Sequence, residues 1–506
     1  MSPKSRWLEG LKAYTSPAAL ALLLLGFASG LPVTLVISTL SYWLNEAGVA
    51  KETIGYASLI ALAYSFKWVW APFLDQVKLP LLHKLGRRRS WLVFSQVLIA
   101  LGLAIMAFCN PQTSLATLIA VGVLVAFASA TQDVAIDAYR LEIAQDTHQA
   151  TLAASYMAGY RIAELLATAG VLYLVSWLGS SGLNYIHSAW ASSYLLFGIL
   201  MVPGILTTLW IKEPLNIAMS KVLPYSFWQQ AASALTLVAL LISVPAMFTQ
   251  FFYTDFARVF VGNDSLLDLL IDDRAFLRAL LYTIITAFCV TNILRGTLKP
   301  VLLPLEDFIT RFRWQALILL GIVATYRMAD VMVAVMSNVF FSDMGFTSTQ
   351  IANVTKVFGL FLTLFGAGAG GLLIVRFGIL PILFIGGVLT AVTNLLFVLL
   401  AQMGANMTML VIAVSGDNFT RGLAAASLVA FLSSLSNLKF SAVQYALLSS
   451  LMALLPRLVG GSWGKIVAVV GYETYFVIAA LLGIPTLIFI AWQWSIEQSK
   501  KKYIEK

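Results

Sequence analysis

Hydrophobic positions along this chain come in blocks rather than stripes. Apolar windows of about 20 residues, the length a helix needs to cross a bilayer, follow one another from end to end. Fourteen can be drawn, at 17–44, 53–73, 91–110, 114–139, 150–178, 189–211, 229–253, 276–299, 314–342, 348–372, 379–400, 404–432, 441–467 and 475–495. The pattern predicts an all-α polytopic membrane protein. Polar positions inside the windows are few and therefore informative. In Thr131–Arg140, TQDVAIDAYR, Asp133 and Asp137 stand four residues apart, so a helix turns both to one side. An ionised group facing lipid costs roughly 2.5–3.5 kcal/mol on insertion scales, so such residues face a protein interior or a watery cavity.

Composition agrees with this reading. Of 506 residues, 60% are hydrophobic and only 11% charged, where soluble domains carry about 25%. A net charge of +9 raises nucleic acid as a partner, but no basic cluster is interleaved with aromatics, so none is expected. The basic residues instead gather in alternate loops. If the N-terminus is cytoplasmic, the inside segments hold Lys4, Arg6, Lys12, Lys78, Lys84, Arg87, Arg88, Arg89, Arg376 and the tail Lys500, Lys501 and Lys502. The outside loops hold little beyond Lys51, Arg258, Arg274 and Arg278. By the positive-inside rule both termini are cytoplasmic. The apolar run from Ala18 to Leu44 is too long for a signal peptide and reads as a retained first span. Cys109 and Cys289 lie far apart in apolar stretches and read as packing residues. Enzyme signatures are lacking. There is no Walker A loop, no Gly-x-Ser-x-Gly elbow, and no metal-ligand spacing among His83, His148 and His187.

The chain also repeats itself. NEAGVAKETIGY at 45–56 aligns with SDMGFTSTQIAN at 342–353, setting Gly48 on Gly345 and Ile54 on Ile351, a shift of 297. Arg161 follows His148 by thirteen residues as Arg457 follows Gln444, a shift of 296. Both copies start from the same side of the membrane, so the repeat is parallel. Two six-helix halves related this way are the architecture of the major facilitator superfamily. The expected organisation is an N-terminal half (1–220), an inserted transmembrane hairpin with its linker (221–312) and a C-terminal half (313–506). The loop from Asp75 to Gly86-Arg87-Arg88-Arg89 resembles that superfamily's cytoplasmic Gly-x-x-x-Asp-Arg-x-Gly-Arg-Arg signature, with Ala71 at the leading glycine and a longer loop. Its second-half counterpart, Gly371 to Arg376-Phe377-Gly378, has Val375 at the acid. Asp75, Arg87, Arg88, Arg140 and Arg376 are the candidates for a cytoplasmic gate. The bland alternative is that Arg87–Arg89 only enforce topology.

A closer resemblance rests on polar residues that hydropathy alone would not generate. LLLLGFASGLPVTL (22–35), YSFKWVWAPFLD (64–75), GRRRSWL (86–92), ASATQDVAIDAYR (128–140), GYRIAE (159–164), Tyr326-Arg-Met-Ala-Asp330 and FSAVQYALLSSL (440–451) together resemble the AmpG muropeptide permease family. The resemblance covers nearly the whole chain apart from the inserted hairpin. It implies a monomer in the bacterial inner membrane that imports N-acetylglucosaminyl-anhydromuropeptides for cell-wall recycling. The proton gradient would drive it, with no other cofactor. A wider relation to acetyl-coenzyme A transporters keeps a second anionic substrate, or peptides, in view. A non-transporting membrane receptor is the remote alternative.

Charges inside the windows supply candidate site residues. Arg161 and Glu164 share a face of the fifth window, Arg327 and Asp330 a face of the ninth, and Asp417 and Arg421 sit midway along the twelfth. Arg457, Lys356, Lys67 and Gln444 add further polar groups in the second half and in window two. Arg457 and Lys356 have no neighbouring acid, and an arginine fork suits a substrate carboxylate. The paired charges admit a plainer reading as self-neutralising pairs. Among the aromatics that suit sugar stacking (Tyr42, Trp43, Tyr64, Trp68, Trp70, Tyr160 and Tyr326), Tyr160 and Tyr326 adjoin inward arginines. Low dielectric disfavours a charged carboxyl, so the deeper Asp133 is the first candidate proton carrier, ahead of Asp137, Glu164 and Asp330. The glycine run Gly366, Gly368, Gly370, Gly371 reads as close helix contact.

Overall fold

The structure, a computed structural model, describes residues 14–50, 53–54, 58–77, 79–143, 146–181, 184–214, 228–229, 231–236, 239, 289, 292, 298–460 and 463–504. Among these residues every regular element is helical, apart from a single bridge between Ser181 and Asn184. Six helical elements form a first bundle: α1 (Pro17–Glu46), α2 (58–76), α3 (Arg87–Phe108), α4 (Pro111–Ile143), α5 (Gln149–Trp177) and α6 (His187–Trp210). An amphipathic helix, α7 (Lys299–Phe312), leads into the second bundle. That bundle comprises α8 (Gln315–Phe341), α9 (Asn353–Phe377), α10 (Ile379–Met403), α11 (Met407–Leu435), α12 (Ser441–Gly460), α13 (Trp463–Leu481) and α14 (Gly483–Ile504). Nine helices among the described residues are long and apolar enough to cross a membrane, or ten if the pair at 407–453, bent by 97°, counts as one span. Windows seven and eight lie almost wholly outside the described residues.

Local chemistry explains the element boundaries. Helix α1 starts where the Ser16 hydroxyl accepts the Ala19 N–H, with Pro17 at the first position, where no N–H is needed. The expected repeat reappears in the backbone. Gly48 and Gly345 both take positive φ (80° and 92°), and Gly86 and Gly378 (102° and 88°) each stand immediately before a helix. The second window departs from the expected continuous span. It is broken into short turns because Phe66 and Trp70 leave helical geometry (φ −104° and −105°), and the chain re-enters a helix at Ala71-Pro72. Near the end, Gly471 at φ 76° makes the turn within α13.

Each bundle has an apolar core, one around Leu31, Trp43, Leu103 and Trp190, the other around Leu319, Leu383, Phe431 and Tyr445, and smaller clusters such as Leu74 and Val134 with Val443 cross between them. They meet where α5 packs on α9 and α11, and where α12 packs on α2 and α4. Small residues allow the tightest crossings. A side chain at Gly159 would strike the Leu23 carbonyl, and one at Gly26 the Tyr156 carbonyl, so α1 and α5 touch backbone to backbone. In the second bundle Gly366 faces the Phe419 carbonyl and Gly422 the Thr363 carbonyl, which joins α9 to α11. The glycine run is thus a packing surface. Cys109 and Cys289 are both free and buried.

A Gly159→Leu substitution has no room without parting α1 from α5. Overpacking of this kind costs about 1–3 kcal/mol, so thermal unfolding in detergent is expected at a lower temperature than wild type, and an unchanged melting point would contradict the close crossing.

Candidate functional site

Three helices of the first and second bundles turn charged residues into one space. A cavity of about 310 Å³ is lined by Tyr156, Tyr160, Arg161 and Glu164 from α5, Tyr326, Arg327 and Asp330 from α8, and Arg421 from α11. Helix α8 breaks at Tyr326-Arg327, which releases these side chains from the regular helical face. A second cavity of about 500 Å³ shares Arg161, Glu164 and Arg421 and continues past Ser38, Tyr42, Thr168 and Thr355. Three of those four lie in π-helical turns, at Leu35–Thr39, Leu166–Gly170 and Ala352–Phe358. Such turns widen a helix and often mark functional sites.

The charges pair within and between helices. Arg161 Nη1 donates to Glu164 Oε2 at 2.7 Å. Arg421 Nε donates to Asp330 Oδ1 at 2.7 Å and its Nη2 to Asp417 Oδ2 at 2.8 Å. Arg327 Nη2 reaches Asp330 Oδ2 at 3.4 Å. Three arginines thus balance three carboxylates. In a low-dielectric site a balanced set is tolerable where a single charge is not.

The two acids of Thr131–Arg140 sit beside this space rather than in it. Asp133 and Asp137 are buried. Ser29 Oγ of α1 donates to Asp133 Oδ1 at 2.5 Å and lies 2.8 Å from the Tyr156 hydroxyl, which lines the cavity. Asp137 lies 3.8 Å from Lys67 Nζ and 3.5 Å from Arg140 Nη2. A polar path therefore runs from the cavity through Tyr156 and Ser29 to Asp133.

The side carrying Arg87–Arg89 is sealed across the bundle boundary. Arg88, fully buried, donates through Nη2 to Asp75 Oδ1 (2.6 Å), Glu142 Oε1 (2.6 Å) and Ser441 Oγ (2.9 Å). Ser441 in turn donates to Glu142 at 2.7 Å, and Arg87 Nη2 to the same carboxylate at 3.1 Å. Arg140 crosses to the second bundle, donating to Ser433 Oγ at 2.8 Å and stacking over the Tyr445 ring at 5.0 Å. The N–H groups that open α3 donate to Glu213, which fixes the loop.

Asp75, Arg87, Arg88 and Arg140 all sit in this sealed layer, whereas Arg376 stacks on Phe377 at the end of α9. Tyr160, Arg161, Glu164, Tyr326, Arg327, Asp330, Asp417 and Arg421 are brought together around the cavity. Lys67 is drawn to Asp137 instead. Gln444 lies on the sealed side, where its amide donates to Asp307 and the Pro304 carbonyl and accepts from Arg311. Lys356 and Arg457 lie on described helices, but their side chains are outside the described residues. Sequence reasoning missed Glu142, Ser29, Tyr156 and Ser441. Glu142 stands two residues past Arg140, where the polar segment was cut short, and Tyr156 one helical turn before Tyr160.

Two like-built helix bundles around a charged cavity, sealed on one side, are the construction of a secondary membrane carrier. Residues 22–326 match the Major Facilitator Superfamily, and the chain belongs to that family of transporters. Among curated proteins it is 28% identical over 482 residues to the anhydromuropeptide permease of Escherichia coli K12, covering 95% of this chain and 80% of that one. It is also 28% identical over 468 residues to the putative transporter AmpG 4 of Rickettsia conorii, covering 92% and 94%. These relatives bear out the resemblance to the AmpG permeases. The proton:xylose symporter XylE shares the fold with a TM-score of 0.60 at 14% identity, over 95% of this chain and 96% of that one. So does FucP in its outward conformation, with a TM-score of 0.59 at 12% identity, over 95% and 99%.

The seal predicts its own weak point. Ser441→Ala removes a donor to Glu142 and an acceptor for Arg88, hydrogen bonds worth about 0.5–1.5 kcal/mol each. Thiol labelling of a buried Ala442→Cys probe should rise several-fold in that background. Equal labelling with and without Ser441 would show that the seal does not depend on it.

Proposed function

We propose that this chain is a proton-coupled importer of N-acetylglucosaminyl-anhydromuropeptides, working by alternating access in the bacterial inner membrane. The sealed basic side would face the cytoplasm, with both termini there. The observation that carries the reading is the cavity in which Arg161, Arg327 and Arg421 meet from both bundles, in a chain similar over most of its length to an anhydromuropeptide permease. A muropeptide offers several carboxylates to arginine forks and sugar rings to aromatic faces. Tyr160 and Tyr326 line the same cavity and would serve the sugars.

Energetics point to protons. Bringing a polyanion into a negative interior is uphill, and each net positive charge carried inward gains roughly 2.3 kcal/mol per 100 mV. That supports accumulation of about fiftyfold at 1.4 kcal/mol per tenfold. Asp133, linked to the cavity through Ser29 and Tyr156, would carry the proton, with Asp137 and Lys67 adjusting its surroundings. Proton and ligand together would leave no unpaired charge in the cavity and so let the bundles rock. A carrier of another anion, such as acetyl-coenzyme A, is the second reading, because the arginines of the cavity would pair with a phosphate as well as with a carboxylate.

Uptake of labelled anhydromuropeptide into proteoliposomes under an imposed pH gradient tests this. Wild type is expected to accumulate the label, and Asp133→Asn to lose at least tenfold of the gradient-driven rate. An Asp133→Asn protein that transports as well as wild type would remove the proton role. Thermal stabilisation by coenzyme A and not by the anhydromuropeptide would favour the second reading.

A further inference from the structure

One guanidinium in the cavity serves two carboxylates that are not equally secured. Arg421 divides its donors between Asp330, on Nε at 2.7 Å, and Asp417, on Nη2 at 2.8 Å. Asp330 has a second cation, Arg327 at 3.4 Å. Among the described residues Asp417 has no cation but Arg421. It is also the deeper of the two. Arg421 and Asp330 line the cavity, while Asp417 is buried behind the guanidinium at 7% exposure.

A substrate carboxylate in the cavity can reach Arg421, whose side chain lines it and is 23% exposed. The described charges already balance, with Arg161, Arg327 and Arg421 against Glu164, Asp330 and Asp417. One more negative charge in so poorly screened a place is costly unless a positive charge comes with it. We propose that a substrate carboxylate takes Nη2 of Arg421 from Asp417, and that the unseated Asp417 binds a proton from the water of the cavity. The ligand oxygen gains the N–H that Asp417 Oδ2 gives up, and the proton restores the charge balance. Asp417 is thereby a proton seat in the second bundle, separate from Asp133 in the first. The inference rests on the reading of the ligand as a carboxylate-bearing muropeptide.

The surroundings leave Arg421 as the controlling group. Helices α9 and α10, which flank α11, carry no charged residue facing this depth in their described parts beyond Arg376 at the sealed end. From α8 come Asp330 and Arg327, and from α5 Arg161 and Glu164. Lys356 and Arg457 stand on neighbouring elements, with side chains outside the described residues.

Two measurements on the full-length protein test the seat. In ligand-free protein, Arg421→Gln should itself unseat Asp417, so infrared difference spectra should show a new protonated-carboxyl band that disappears in Arg421→Gln/Asp417→Asn. If Arg421→Gln does not fold, Arg421→Met, which likewise removes the positive charge while keeping an unbranched side chain, is expected to give the same band. No band, or a band that survives the double substitution, overturns the proposal. Second, the affinity of wild type for N-acetylglucosaminyl-anhydromuramyl-tripeptide is measured against pH. Asp417→Asn should remove about tenfold per pH unit from that dependence, the signature of one linked proton. If wild type binds the probe and Asp417→Asn keeps the full slope, the seat is overturned and the substrate reading stands. If the band appears and wild type does not bind the probe, the seat is supported and the muropeptide reading falls.

Discussion

Everything in this molecule depends on keeping charge in balance where water is scarce. An arginine or carboxylate inside a helical membrane protein is tolerable only with its opposite close by. The cavity meets that condition with Arg161 on Glu164 and with Arg421 held between Asp330 and Asp417. The same condition makes the cavity responsive. An anion that enters disturbs the balance among these described charges, and a proton on one of the carboxylates is the compensation the proposed coupling uses.

The sealed side uses the same chemistry for a different end. Arg88 is buried among Asp75, Glu142 and Ser441, and the last of these belongs to the opposite bundle. Arg140 adds a second crossing through Ser433 and Tyr445. These short polar contacts close the boundary together with apolar packing of Ala442, Val443 and Ala446 on Leu74 and Val134. Between seal and cavity stand Asp133 and Asp137, tied to the first by Arg140 and to the second by Ser29 and Tyr156.

Much of this was legible in the chain. Blocks of apolar residues set the helices, because only helices satisfy the backbone in lipid. The repeat led to the expectation of two like halves, and the glycines at 48 and 345 that it aligns share a positive φ. Asp75 and Arg88 were legible because their loop resembles the superfamily's cytoplasmic signature. Partners distant in sequence were not. Nothing near Arg88 names Ser441, and nothing near Asp133 names Ser29, because a single serine in an apolar helix carries no signal of its own. Gln444 was aligned with the first half by spacing, yet Asp307 and Arg311 hold it at the sealed end. Spacing fixes depth along a helix and leaves the facing residue open. The break in the second window was equally hidden, since Phe66 and Trp70 read as ordinary span residues.

The central claim is that the two bundles rock about a cavity whose charge is restored by ligand and proton together. The most direct measurement is a pair of spin-label distances in the reconstituted protein with its native cysteines replaced. One pair, Lys84→Cys with Leu438→Cys, spans the sealed side, and the other, Asn45→Cys with Asn353→Cys, spans the opposite side. The account predicts that anhydromuropeptide at low pH lengthens the first distance and shortens the second. Two distances that stay fixed, or that lengthen together, would contradict it.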